Sequence, residues 1–386
     1  MNSPVCALLI ALTCCGVARG AVNDPPERVG RLGAFAGQVT LQTADSRTRE
    51  AALRNYPLSS GDRIFTADDS RAEVSLGSAL LELDDHTDLE VLALETDLAR
   101  VQIRSGRVLL HVGDSFNAAR GKVGSVEVQA AQVTAHLEQT GDYQVTVAPD
   151  GRTDIVVLAG EASVRTPLAG FQQRAGERAA IAADQTVDVQ PATERPDRDR
   201  HRFERRRGPE GSRSAQHVAA GVVGYEDLDA YGRWHWVREL GMVWEPTRVA
   251  SSWAPYRFGE WIWKSPWGWT WVDASPWGFA PFHYGRWVRL EERWCWVPGP
   301  RQVRAVYAPA LVAWVRDPAQ RGSVGWFPLG PGQEYVPSYR ASESYRRSLN
   351  LFASVGGSGG PAVDPEPSGE IITWAASTAF TRPVRR

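Results

Sequence analysis

The side chains that could perform chemistry are few and widely spaced. Seven histidines (His86, His111, His136, His201, His217, His235 and His283) never stand at metal-ligand spacing, and neither CxxC nor HExxH occurs. Cys295 could act as a nucleophile with His283 or His235 as its base. It sits in Trp294-Cys295-Trp296, however, where strand alternation turns two rings one way and the thiol the other, an arrangement that reads as packing. The stretch Asp84-Asp85-His86-Thr87-Asp88 has the composition of a calcium or zinc loop. It lacks the glycine and terminal glutamate of a calcium loop, and reads as a polar turn between strands. Paired carboxylates beside tryptophans describe many glycoside hydrolases. Glu226, Asp227, Asp229, Glu260 and Asp273 are the candidates, with Glu260 and Asp273 the pair to test, and no spacing brings them to a catalytic distance. With no Gly-x-Ser-x-Gly outside the Gly/Ser-rich run 356–360 and no dinucleotide fingerprint in a βαβ context, the expectation is no catalytic residue, no metal site and no cofactor.

What remains is aromatic chemistry. All sixteen tryptophans lie at or beyond Trp234, and fifteen fall within residues 234–326. Tyr231-Gly232-Arg233-Trp234, Phe258-Gly259-Glu260-Trp261 and Tyr284-Gly285-Arg286-Trp287 recur at spacings of 27 and 26 residues. Ala254-Pro255-Tyr256 and Ala280-Pro281-Phe282 precede two of these copies, and Ala308-Pro309 reads as a degraded third connector. Each copy predicts a β-hairpin followed by an extended, proline-containing connector. In the middle copy, Trp261, Trp263, Trp267, Trp269 and Trp271 should project from one face, with Lys264-Ser265-Pro266 as the turn.

Burying one such ring removes about 150–250 Å² from water, an upper bound of roughly 4–6 kcal/mol. Core packing therefore accounts for most of the rings. A domain of this size buries only about 60–65% of its unfolded surface, so some rings should remain open to a ligand. The stiff connectors are the first place to look for them. The expected binding residues are Trp253, Tyr256, Trp277, Phe279 and Phe282, with Trp267 and Trp269 from the hairpin.

The rest of the chain frames this region. Of 386 residues, 43% are apolar and 23% charged, as in soluble globular proteins, and a net charge of −2 gives no reason to expect a nucleic-acid partner. Residues 1–20 form an apolar run ending in Ala18-Arg19-Gly20, the pattern of a cleaved secretory signal, with Cys14-Cys15 a poor lipobox. No later run reaches the length of a membrane span. Removal of the signal would leave Cys295 alone and no internal disulfide, which suits a bacterial periplasm. Residues 28–190 read as many short strands with turn pairs every eight to twelve residues, an all-β sandwich or coiled sheet. Residues 191–223 read as an Arg-rich charged linker, 224–345 as the Trp-rich hairpin domain and 346–386 as a mostly flexible tail.

Residues 28–185 resemble a FecR domain, a periplasmic signalling module of Gram-negative bacteria. The resemblance rests on Leu58-Ser59-Ser60-Gly61-Asp62-Arg63-Ile64-Phe65-Thr66, Ala72 to Ser78, Gly106-Arg107-Val108 and Val156 to Ala162. Residues 224–340 resemble a Trp-rich domain of unknown function, through Gly224 to Asp229, Tyr231 to Trp234 and Gly325 to Pro331. These resemblances imply export and an all-β module but no defined activity, and the transmembrane and anti-sigma segments of the signalling protein have no counterpart here. The combined expectation is a periplasmic or secreted envelope protein, without catalysis, that binds a glycan such as peptidoglycan or a protein partner. A sensory partner of a FecR-type system is the alternative, and a glycan-active hydrolase the third.

Overall fold

The computed structural model describes residues 23–77, 79–95, 97–113, 125–192, 212–316, 322–351 and 372–380. The expected signal and the greater part of the Arg-rich linker and tail lie outside the described residues. Alternating apolar and polar residues build the first half. Its strands are β1 (Gly30–Ala36), β2 (Val39–Gln42), β3 (Glu50–Ala51), β4 (Tyr56–Leu58), β5 (Arg63–Thr66) and β6 (Arg71–Ser75). They continue with β7 (Ala79–Leu83), β8 (Asp88–Leu94), β9 (Leu98–Val112), β10 (Ser125–Ala130), β11 (Val133–Leu137) and β12 (Gly141–Val147). Last come β13 (Thr153–Val157), β14 (Glu161–Arg165), β15 (Gly170–Arg174), β16 (Glu177–Ile181) and β17 (Val187–Pro191).

Pairing sorts these strands into two layers, β4-β1-β6-β7-β9-β12-β13-β16-β17 and β3-β2-β5-β8-β9-β10-β11-β14-β15. The long strand β9 belongs to both. It passes from one layer to the other at Gly106, whose φ of 91° and close approach to Thr87 leave no room for a Cβ. Apolar positions from both layers, including Leu32, Val74, Leu110, Ile64, Val101 and Val128, form one core. The expected all-β class is observed.

The second half is a set of hairpins: β18 (Gly232–Val237) with β19 (Gly241–Pro246), β20 (Gly259–Lys264) with β21 (Gly268–Asp273), and β22 (Arg286–Leu290) with β23 (Arg293–Val297). A fourth, not anticipated from the repeat, pairs β24 (Val312–Val315) with β25 (Ser323–Pro328), and β26 (Thr373–Ala376) adds to its edge. Hairpins one and three merge into a sheet of order β18-β19-β23-β22, joined where Trp244 faces Trp296. The short helices α1 (Leu228–Tyr231) and α2 (Ala280–His283) lead towards β18 and β22, and α3 (Glu343–Asn350) follows the fourth hairpin.

The repeated Gly-x-Trp has a steric cause. A Cβ on Gly232 would lie 2.3 Å from the Trp244 indole and 2.5 Å from the Glu245 carbonyl oxygen. Gly259 meets Trp271 at 2.7 Å and the Val272 carbonyl at 2.3 Å, and Gly285 meets Trp296 at 2.6 Å and the Val297 carbonyl at 2.2 Å. In every copy the glycine is the seat of the cross-strand tryptophan and of the carbonyl that follows it.

The two halves are fastened by buried polar groups. The guanidinium of Arg31 lies 2.6 Å from the Asp227 carboxylate and donates to the Pro276 carbonyl at 2.8 Å and to Asn55 Oδ1 at 3.0 Å. Asn55 in turn donates to the carbonyls of Asp273 and Ser275, at 2.7 and 2.8 Å. Lys264 pairs with Asp62, the aspartate of the Ser59-Ser60-Gly61-Asp62 turn. Asp62 also accepts from the Ser59 and Ala44 amides, so one carboxylate both shapes the turn and receives the lysine. Ile262, on the same face of the hairpin as Lys264, packs against the core of the first half. The middle hairpin is thus a bridge, with tryptophans on one face and a docking face on the other.

Candidate aromatic binding surface

Burial removes most of the expected binding residues from the surface. Tyr256, Phe279 and Phe282 are fully enclosed, and Trp253, Trp277 and Trp267 are buried with them. The connectors do not stand out as stiff arms. They fold inward, Ala280–His283 as a helical turn, and close the core between the hairpins: Trp277 meets Trp244, Trp253 and Phe282 at 4.8, 5.5 and 5.9 Å. The Tyr256 hydroxyl donates to the Phe282 carbonyl at 2.7 Å. Trp267 also departs from the expected row of five: it belongs to the turn and packs on Tyr307 at 5.1 Å. Of the seven, Trp269 alone keeps a partly open ring.

The rings left over lie on strand faces. Trp261 faces Trp271 and Trp263 faces Trp269 across the middle hairpin. Trp263 and Trp269 meet edge-on at 5.5 Å, and Trp269 meets Phe380 at 5.3 Å. Phe380 contacts Trp314 at 5.5 Å, which contacts Trp261 at 4.7 Å. Trp314 is 43% exposed and Trp261, Trp263, Trp269 and Phe380 are half-buried, so hairpins two and four with the C-terminal segment form one continuous aromatic platform. The Trp261 indole N–H, at its base, has no acceptor among the described residues. Trp236, 70% exposed on the edge strand β18, and Phe258, 54% exposed just before β20, are open as well. Sequence reasoning missed Trp314, which lies in the Trp-rich domain outside the three recurring copies, and Phe380, which lies in a tail expected to be mostly flexible.

The titratable candidates are placed apart. Glu260 lies opposite Val272 on the docking face, whereas Asp273, one residue on, turns to the tryptophan face, so the two cannot flank one glycosidic bond. In the acidic turn Asp84 pairs with Arg107, and Asp88 with Arg63 at 2.6 Å, as a structural polar turn requires. Burial pushes the Cys295 thiol up to about 11, which leaves it protonated and a poor nucleophile. Cys295 does, however, approach His235 and Glu245 across the strands.

Two buried groups oppose each other in pH. Burial raises the Asp273 carboxyl to about 7, although it accepts from the Ser275 amide at 2.9 Å and Trp271 Nε1 at 3.1 Å. Burial lowers His283, whose Nδ1 contacts the Ala308 carbonyl at 2.8 Å, to about 3. Asp273 binds its proton more tightly folded than unfolded, so it stabilises at low pH and that stability is lost as pH rises through about 7. His283 binds its proton less tightly folded, so its stability is present above about 6.5 and is lost as pH falls towards about 3. The two slopes cancel between about pH 4 and 6.5. Asp273→Asn should expose the histidine slope, with stability rising by about 3 kcal/mol across that range. His283→Gln should expose the opposite slope. Urea unfolding at a series of pH values checks both, and a flat profile in either variant would contradict the assignment.

Residues 225–333, which span the four hairpins, match the model of a family of unknown function, DUF6600. Residues 28–185 match no FecR family model. No curated protein matches the chain. Among solved structures, two crystal structures of an anti-sigma-factor candidate from Parabacteroides distasonis align at 15% and 14% identity. Both have a TM-score of 0.29 and cover 33% of this chain and 59% of theirs. The chain therefore spans less than two thirds of those structures.

Proposed function

We propose that this is an exported, non-catalytic envelope protein of a Gram-negative bacterium, in which the first half is a FecR-like scaffold and the second presents an aromatic platform to a glycan. The observation that carries the reading is the continuous, partly open row Trp263–Trp269–Phe380–Trp314–Trp261. Rings held rigidly by a hairpin stack on flat apolar faces at little entropic cost, and sugar rings offer such faces. The apolar leader of residues 1–20 supports export. Titration of tryptophan fluorescence with peptidoglycan fragments and other envelope glycans tests the reading. Trp314→Ala and Trp269→Ala are each expected to weaken binding about tenfold or more, at about 1–3 kcal/mol per ring by analogy with base stacking. Trp236→Ala, remote from the row, should leave it unchanged. Saturable binding that survives both platform substitutions, or no binding at all, would overturn it.

A sensory partner of a FecR-type signalling system is the second reading, favoured by the Leu58 to Thr66 motif. Here Asp62 of that motif is occupied by Lys264 of the same chain, so any regulatory contact would use another face. Retention of a FecR-type receptor or its anti-sigma partner by the intact protein, undiminished in Trp314→Ala, would support this reading over the first.

A further inference from the structure

The face of the sheet β18-β19-β23-β22 that its tryptophans leave free carries three ligating side chains. Alternation places His235 between Trp234 and Trp236, Glu245 after Trp244, and Cys295 between Trp294 and Trp296, so all three share that face. Because Trp244 faces Trp296, Glu245 and Cys295 are neighbours on adjacent strands, with His235 on the next strand over. One ligand atom from each lies within 4.8 Å of the other two. Ligand bonds of about 2.0–2.3 Å in tetrahedral geometry set ligand atoms about 3.3–3.8 Å apart, so rotamer-scale movement closes the set.

The surroundings suit an ion. His235 Nδ1 is buried and has no hydrogen-bond partner among the described residues. Cys295 lies in an apolar cluster with Leu240, Val243, Val288 and Val297, which shields a metal–sulfur bond from water. Glu245 accepts from Arg233 at 3.0 Å and pairs with Arg293 at 3.2 Å. Both guanidiniums are more than half exposed and can shift outward, or can keep one carboxylate oxygen while the other turns to the metal. No spacing along the chain announces this set, because each ligand comes from a different strand.

We propose that His235, Glu245 and Cys295 form a three-ligand site for a thiophilic divalent cation such as zinc, with a fourth position for water or a partner's side chain. Binding exchanges the thiol proton for the metal, so one proton leaves per ion bound. The test uses the full chain carrying Cys6→Ser, Cys14→Ser and Cys15→Ser, stripped by chelator and titrated with zinc and with cobalt(II). The expected result is one ion per chain, a thiolate-to-cobalt charge-transfer band, and at least a tenfold loss of affinity in His235→Ala and in Cys295→Ser. Zinc should also protect Cys295 from alkylation, a reading that needs no variant to fold. Absence of the charge-transfer band together with unprotected Cys295, or affinity unchanged in both variants, would overturn the proposal.

Discussion

Lys264→Met is expected to destabilise the protein by about 3–5 kcal/mol, the usual cost of leaving one member of a buried ion pair uncompensated. Lys264 is 3% exposed and Asp62 fully buried, so water cannot replace the lost ammonium. Burial lowers the Lys264 pKa and Asp62 opposes that shift, the signature of a cation held inside by its partner. The lysine ends β20, whose docking face meets the first half, so its loss should also loosen one half from the other. Every tryptophan lies in the second half, and urea unfolding followed by tryptophan fluorescence and by far-ultraviolet circular dichroism therefore separates the two. Coincident transitions in the parent and divergent ones in Lys264→Met are the expected outcome. Lys264→Met with Asp62→Asn should recover part of the loss, since asparagine strands no charge and its one oxygen still accepts from the Ser59 amide, although its NH2 then faces the Ala44 amide, a second donor. A single variant within about 1 kcal/mol of the parent would show that the pair does not hold the halves together.

Gly259→Ala, and equally Gly232→Ala, should cost about 3 kcal/mol, at the upper end for an overpacked core. The added methyl would meet both an indole ring and a backbone carbonyl at under 3 Å, and the carbonyl belongs to a paired strand that cannot rotate away. Gly170→Ala is the control, because its nearest neighbours are 3.9 Å away. Thermal melts of the three variants measure the difference. Gly232→Ala combined with Trp244→Leu should not restore the parent, since the Glu245 carbonyl still obstructs. Equal stability of Gly259→Ala and Gly170→Ala would remove the steric account of the repeat.

Much of the architecture was legible in local pattern. Alternation with turn pairs identified the strands of residues 28–190, and the recurring Gly-x-Trp located three hairpins. The fourth was not legible, because its partner strands are separated by the seven residues 316–322 and its copy of the motif is degraded to Gly325-Trp326. Ring exposure was misjudged in the connectors. Proline and aromatic residues specify an extended or turned backbone, but not whether that segment faces water or closes a core.

By itself the sequence determined an all-β chain with two compositionally distinct halves, and a second half whose tryptophans could fold it without disulfides. These follow from periodicity and composition, which act over a few residues. Tertiary structure alone decided which rings remain open, that Asp62 receives Lys264 across 202 positions, and that His235, Glu245 and Cys295 meet on one face. The physical reason is that alternation assigns a side chain to a face, whereas burial and charge pairing depend on which faces the chain later brings together.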